Sequence, residues 1–502
     1  MIPRIRPLLI VTLWLVSIAP LSDSLAQSAS DLPIRGQLLE NPPPQLGVYS
    51  PSDLISKITD GTVSRWLLRY TFSPRCSVVV YQLRYGTVGG QGEPTTASAA
   101  LMVPTGSDAT CQSPRPIVLY AHGKRNLTFF NIADLSGQTN YEGLIIALSL
   151  AADGYTVVAP NYAGYDTSTL GYHPFMNADQ QSADMMDALA AARAALPATG
   201  VADNQKLFLT GYSEGGYVAM ATHRTLEAAG IPVTASAPMS GPYALSAFSD
   251  AMFLGQVGRG AVEEILMLTS SYQHAYGTIE SGTSAVFEPQ YASAHTLLPG
   301  VIGTGTLVAQ GLIPESAVFS SEPPIPEVAW VTPATTPAKL ASVFAQGFGP
   351  DHLITNAYRL SYLQDAYVAP DGGYPNTTTG LPPDSPADPL RQALKKNDLR
   401  NWAPIAPMLL CAGDEDPVVF YLNTQLMQGY WAVTAPESPV TVLNIDAPPS
   451  HDGPYKHLRK RFAQTKSLLK WIEGRSAVTE DYHDVLVPAF CLQATKSYFD
   501  GF

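Results

Sequence analysis

The sequence predicts an α/β fold: a mostly parallel central sheet with helices on both faces and one large, mainly helical insertion. Three observations carry this. From about residue 116 onward, short apolar runs alternate with stretches of helical periodicity, the signature of strand–helix–strand units with right-handed crossovers. The alternation stops at about residues 248–400 and then resumes in the same style. One of the apolar runs ends in Lys206-Leu-Phe-Leu-Thr-Gly-Tyr-Ser-Glu-Gly-Gly216, where Gly211, Ser213 and Gly215 form G-x-S-x-G ahead of a helical pattern.

The chain has 502 residues, and its first stretch reads as an export signal rather than as fold. Arg4 and Arg6 precede an apolar segment over residues 7–20, and Ser24-Leu25-Ala26 then gives a small-x-small cleavage pattern before Gln27. Bounded by prolines, the apolar run is short for a membrane anchor, and no cysteine follows the cleavage site to carry a lipid. The sequence therefore predicts a signal peptide over residues 1–26 and a mature protein without an integral membrane segment. Its destination is extracellular, or periplasmic if a bacterial envelope retains it. A formal charge of −13 argues against nucleic acid as a partner.

Residues 27–75 are polar and proline-marked, with one helix near 51–58. Runs at 78–85 and 95–103 read as a hairpin, and residues 116–121 form a continuous apolar run of the kind buried inside a parallel sheet. Helices at 141–152, 178–196 and 214–229 then alternate with strands at 155–159, 207–210 and 233–239. In the interruption, residues 261–272 and 352–366 read as helices among Gly/Pro-rich stretches, and 370–389 as a low-complexity turn region. Strands at 407–412 and 440–445 and helices at 418–431 and 455–472 complete the pattern. Because the chain returns to the same sheet, the reading is a core of residues 27–247 and 401–502 with a cap of residues 248–400 inserted between strands six and seven. The alternative is an independent domain on a linker. Four cysteines allow three pairings; Cys76 and Cys111 flank the hairpin and are the preferred pair, while Cys411 ends an apolar strand and reads as core.

A serine hydroxyl becomes a nucleophile only when it is lifted toward a base, and a strained strand-to-helix turn does that. Ser213 is the candidate, against the alternative of a plain Gly/Ser turn. The base needs an orienting acid, and with this elbow the chain order is serine, acid, histidine, at successive strand ends. The strand at 407–412 runs into Gly413-Asp-Glu-Asp-Pro-Val-Val419, and the strand at 440–445 into Asp446-Ala-Pro-Pro-Ser-His-Asp-Gly453. Asp416 and His451 are therefore the expected acid and base. Asp416 is preferred to Asp414 and Glu415 because Pro417 puts it at the apex of the turn. Among the other histidines, His457 falls within the last helix, and His483 lies in the tail after the fold is expected to close. His122 is read as shaping the loop after its strand, and His173, beside Pro174, as structural. The oxyanion donors expected by position are the backbone N–H groups of Glu214 and Lys124. The Lys124 side chain is expected to face solvent, and the Glu214 side chain has no assigned role.

These pieces, in order, carry a resemblance. Tyr120-Ala-His-Gly123, Ala159-Pro-Asn-Tyr-Ala-Gly-Tyr165 with His173-Pro174, Gly211-Tyr-Ser-Glu-Gly-Gly216, Gly241-Pro242-Tyr243, Asn401-Trp-Ala-Pro404, the 413–419 acid loop and His451 resemble an α/β-hydrolase. More narrowly, the arrangement is similar to the secretory lipase family of the lipase A type over residues 76–472. The resemblance implies an α/β-hydrolase fold with a large cap between strands six and seven. It also implies a secreted serine ester hydrolase, lipase or carboxylesterase, that acts on a small-molecule or lipid ester and needs neither cofactor nor metal. Two further readings stand beside it: a capped serine peptidase with the same triad, and a non-catalytic binding protein on the same fold. In the helix at 261–272, Ile265, Leu266, Met267 and Leu268 are expected either to wall an acyl chain or to pack the cap on the core.

Overall fold

The computed structural model describes residues 33–502 apart from 60, 61, 64, 66–71, 137–139, 280–284, 374–378 and 449–452. The expected signal peptide lies outside the described residues. The chain opens with strand β1 (Gln45–Tyr49), helix α1 (Pro51–Thr59), strands β2 (Ser77–Val88), β3 (Pro94–Thr105) and β4 (Arg115–Ala121), then α2 (Tyr141–Ser149) and β5 (Thr156–Pro160). Next come α3 (Ala178–Thr199), β6 (Asp203–Tyr212), α4 (Glu214–Ala228) and β7 (Ala235–Met239). Helices α2 and α3 begin where the sequence supplies a cap: Asn140 and Asn177 accept from the backbone N–H of Gly143 and Gln180.

After β7 follow α5 (Leu245–Phe253), α6 (Ala261–Tyr276), α7 (Thr304–Ala309), the short strand β8 (Phe319–Ser320), α8 (Ala341–Gln346), its partner strand β9 (Phe348–Gly349), α9 (Asn356–Val368) and α10 (Pro389–Asn397). The chain then returns to β10 (Met408–Ala412), α11 (Leu422–Thr434), β11 (Val440–Asn444) and α12 (Lys456–Glu473). It does not close there. Helix α13 (Arg475–Asp481), a π-helical turn (Tyr482–Leu486) and α14 (Val487–Phe499) follow without a break.

Among the described residues, nine strands form one sheet in the order β1-β2-β3-β5-β4-β6-β7-β10-β11. The pairs from β5 to β11 are parallel, and β1, β2 and β3 extend one side antiparallel. The period-2 alternation of strand side chains divides the interior in two. Ile117, Leu119 and Ala121 of β4 pack with α3 and α4, and Val118 and Tyr120 pack with α2 and α14. The second layer explains why the tail is part of the fold. Val487, Ala489, Phe490, Cys491 and Leu492 are buried, and Cys491 is disulfide-bonded to Cys411 of β10. Cys411 is thus core, as expected, and also crosslinked; the expected Cys76–Cys111 bridge is present as well.

Both ends of the excursion between β7 and β10 meet. Leu399 N–H donates to the Tyr243 carbonyl at 3.0 Å, and Ser246 N–H donates to Asp398 Oδ2 at 3.0 Å. Arg391 on α10 donates to Asp250 on α5 through Nε and Nη2 at 3.1 and 2.9 Å. Arg400 lies fully buried between Asp371 and Asp398, at 2.6 and 2.9 Å, so its charge is compensated on two sides. No helix among the described residues is long and apolar enough to cross a membrane.

Candidate active site

Ser213 is the single residue between β6 and α4. Its backbone has φ 61° and ψ −123°, a conformation that costs a non-glycine residue about 1–3 kcal/mol and persists only where the surroundings enforce it. They do so through close packing. A Cβ on Gly215 would stand 1.9 Å from the Ala121 carbonyl oxygen, and one on Gly211 would stand 2.3 Å from the Gly215 oxygen. Only glycine fits at either place. Ser213 N–H donates to the Met239 carbonyl at 3.0 Å, which ties the turn to the end of β7.

His483 Nε2 is 2.8 Å from Ser213 Oγ, and His483 Nδ1 is 2.8 Å from Asp416 Oδ2 and 3.0 Å from Oδ1. With a carboxylate at Nδ1, that nitrogen carries the proton and Nε2 presents its lone pair to the serine. Asp416 is fully buried, and its Oδ1 also accepts from the N–H groups of Val418 and Val419 at 2.9 and 3.1 Å. This loop uses the residues expected to start the next helix, so α11 begins at Leu422 instead of 418. Burial of His483 opposes its protonation, but the Asp416 carboxylate, with Asp484 and Glu264 nearby, outweighs that, and the imidazole pKa stands above its ordinary value.

The expected base, His451, is thereby corrected. His451 itself lies outside the described residues, and the imidazole between Ser213 and Asp416 belongs to His483. The physical reason is the continuation of the chain past α12: the π-helical turn carries His483 back over the carboxyl ends of β6 and β10. Widened turns of this type recur at functional sites because they displace side chains from regular helical positions. Of the three candidate acids, Asp416 alone touches the histidine. Glu415 pairs with Lys339 at 2.6 Å and Lys466 at 3.3 Å, and Asp446 pairs with Lys466 at 2.5 Å. Among the described residues, Asp414, Glu415 and Asp446 form a grouping with metal-ligand spacing, and two of its three carboxylates, Glu415 and Asp446, are paired with lysines.

Two side chains depart from expectation. The Lys124 ammonium does not face solvent: it bonds Glu263 Oε2 on α6 at 2.9 Å, with Glu264 Oε1 at 3.6 Å. The Glu214 carboxylate is buried and accepts from His173 Nε2 at 2.8 Å and Gln181 Nε2 at 2.7 Å, which gives His173 its structural part. His122 is buried as well, with Nδ1 2.7 Å from the Gly123 carbonyl and Nε2 3.2 Å from that of Asn161. Desolvation lowers its pKa to about 4, and the ring braces the loop after β4. In that loop, Gly123 N–H donates to the Glu142 carboxylate, which also accepts from Tyr120 and Arg125.

Among the described residues, two cavities border Ser213. One is a wide cleft of about 520 Å³ edged by His483, Tyr120, Arg125, Glu142, Glu263 and Asp484. The other is a narrow cavity of about 70 Å³ walled by apolar side chains, among them Phe175, Leu245, Met252, Ile265, Leu268 and Leu394. On helix α6, Ile265 and Leu268, one turn apart, line this cavity, while Leu266 and Met267 are buried in the core, as the packing alternative expects.

The profile of the prolyl oligopeptidase family, Peptidase_S9, matches residues 145–231, which include the Ser213 turn. A comparison with curated proteins gave no matching sequence. Among solved structures, the chain is similar to LipA, a rice cell wall degrading esterase from Xanthomonas oryzae, at 25% identity and a TM-score of 0.61, covering 88% of this chain and 99% of that one. It is also similar to a protein of Legionella pneumophila placed among the hydrolases (19% identity, TM-score 0.60, 87% and 98% covered) and to Candida antarctica lipase A in its closed state (14%, 0.50, 82% and 76%). The last two are likenesses of fold.

Proposed function

Taking the chain as a member of the α/β-hydrolase superfamily, which its sheet order, elbow and neighbours make it, we propose that it is a secreted serine ester hydrolase with Ser213, His483 and Asp416 as its triad. The single observation that carries this reading is the unbroken hydrogen-bond chain from Ser213 Oγ through His483 to Asp416. His483 Nε2 takes the Ser213 proton as Oγ attacks the ester carbonyl, and Asp416 stabilises the imidazolium. The imidazolium returns the proton to the departing alkoxide, leaving an acyl-serine, and water activated by the same histidine releases the acid. None of these steps calls for a cofactor.

The oxyanion donors we assign are the N–H groups of Glu214 and Lys124. Glu214 is the first residue of α4, so its N–H has no acceptor within the helix and points where the dipole favours negative charge. On the other side, the Glu142 carboxylate already occupies the Gly123 N–H, which leaves Lys124 as the donor from that loop. We read residues 248–400 as a cap over the site, and residues 1–26 as a cleaved export signal, a reading in keeping with two disulfides.

A capped serine peptidase is the second reading, favoured by the prolyl oligopeptidase match over residues 145–231. One experiment separates the two. A fluorophosphonate probe is expected to label Ser213, and the labelled enzyme to lose turnover on nitrophenyl esters while peptide anilides are not cleaved by the unlabelled one. Cleavage of the anilides with esters left intact would replace the esterase reading by the peptidase one.

A further inference from the structure

The two cavities that open at Ser213 differ in size and chemistry, and three residues border both: Ser213, Lys124 and Glu264. Resting on the esterase reading, we propose that Lys124 and Glu264 form a charged partition that sorts the two arms of the ester, selecting a short acyl group carried on a polar alcohol.

Which arm enters which cavity follows from proton transfer. The alkoxide must leave on the side of the group that protonates it. His483 edges the wide cleft and not the narrow cavity, so the alcohol lies in the cleft. With the alcohol in the cleft, the narrow cavity, which also borders Ser213 but not His483, takes the acyl chain. The volume of that cavity, about 70 Å³, sets the acyl length. At roughly 10–15 Å³ for each water-sized group, it accepts on the order of five to seven heavy atoms. The cleft, at about 520 Å³, is edged by Ile145, Val418, Val485 and Pro488 but also by Arg125, Arg259, Glu142, Glu263 and Asp484, charged groups that the narrow cavity lacks and that hydrogen-bond hydroxyls.

The partition itself is fixed from both sides. Lys124 stands on the loop after β4, Glu263 and Glu264 stand on α6, and their side chains are each about one-fifth exposed. A longer acyl chain outgrowing the cavity would meet this ion pair and desolvate it without replacing its hydrogen bonds. Replacing Glu264 by leucine removes one face of the pair and continues the apolar wall begun by Ile265 and Leu268.

The test uses the full chain and its E264L and E264Q variants with p-nitrophenyl butanoate and dodecanoate, and with the butanoate monoesters of glucose and hexanol. For the unaltered protein, kcat/KM is expected to be at least about tenfold higher for butanoate than for dodecanoate, and higher for the glucose ester than for the hexyl ester. E264L is expected to raise the dodecanoate-to-butanoate ratio about tenfold, mainly through a lower KM for dodecanoate. E264Q keeps the shape without the charge, is expected to move the ratio the same way by less, and decides the matter if E264L does not fold. An unaltered protein that favours dodecanoate or the hexyl ester, or Glu264 variants that turn over butanoate with an unchanged ratio, would overturn the partition and leave the esterase reading standing. No turnover of any ester overturns both.

Discussion

His483 Nε2 lies 2.8 Å from Ser213 Oγ although 270 positions separate the two residues in the chain. The contact is made by a C-terminal segment folding back over the end of the sheet, and it predicts which histidine matters. H483A should lower kcat on a nitrophenyl ester by at least about a thousandfold, matching S213A, because triad members act as a unit. The double variant should be no slower than either single one. H451A should stay within a few-fold of the unaltered enzyme; a loss as large as that of H483A would show that the base lies elsewhere.

The Asp416 contact fixes the direction of the pH dependence. His483 accepts a proton only when neutral, and its pKa is raised above the ordinary 6.5 even though burial pulls the other way. Activity should therefore fall as pH drops through that raised value, with the acid limb of kcat/KM above pH 6.5. D416N removes the largest of the carboxylate contributions that oppose burial and presents the wrong tautomer. It should move the acid limb to lower pH while lowering kcat by roughly ten-thousandfold. An acid limb that stays in place in D416N would mean that another group sets it.

The contrast between Asp416 and His483 marks what the sequence alone makes legible. Ser213 and Asp416 follow their strands at once, so local pattern suffices: a Gly-x-Ser-x-Gly turn after β6 and an acidic turn capped by Pro417 after β10. His483 depends on where the tail docks, and no local rule states that. A signal was nevertheless present in the cysteines. Once Cys76 is paired with Cys111, the remaining pair is Cys411 and Cys491, which brings the tail against the strand that leads into the acid loop. The hairpin, the alternating strands and the long helices were legible for the same reason as Ser213. Within 304–349 the elements are short, two-residue strands and six-residue helices, too brief to show a period.

The two disulfides should accordingly differ in what they protect. Closing chain segments with separations of 35 and 80 residues restricts the unfolded chain by about 3.8 and 4.5 kcal/mol respectively in the loop-entropy picture. C76A/C111A and C411A/C491A should thus lose comparable stability in urea titrations. Activity at low temperature should separate them. The Cys411–Cys491 bridge holds α14, and with it the turn that carries His483, so its removal should lower kcat while the protein is still folded. Equal specific activity of the two folded variants would show that packing alone positions the histidine.

The elbow glycines allow a sharper contrast, since the same substitution has opposite signs at two helical positions. Gly215 is the second residue of α4 and lies against the carbonyl of Ala121, where a methyl group would stand 1.9 Å from the oxygen. Neither partner is a flexible side-chain end: one is the backbone of β4, the other the turn that presents Ser213. G215A must push α4 off the sheet, and is expected to destabilise the fold by more than 2 kcal/mol, about the size of overpacking elsewhere, and to abolish turnover through the displaced serine. Gly429 lies in α11, and a methyl group there meets nothing within 4 Å. G429A should stabilise the protein by about 0.5–1 kcal/mol, because alanine loses less backbone entropy than glycine on entering a helix, with kcat unchanged. Paired urea titrations and ester assays read both effects. A folded, active G215A would mean that α4 can move without carrying Ser213 away from His483, and the packing of the elbow would then not be what sets its geometry.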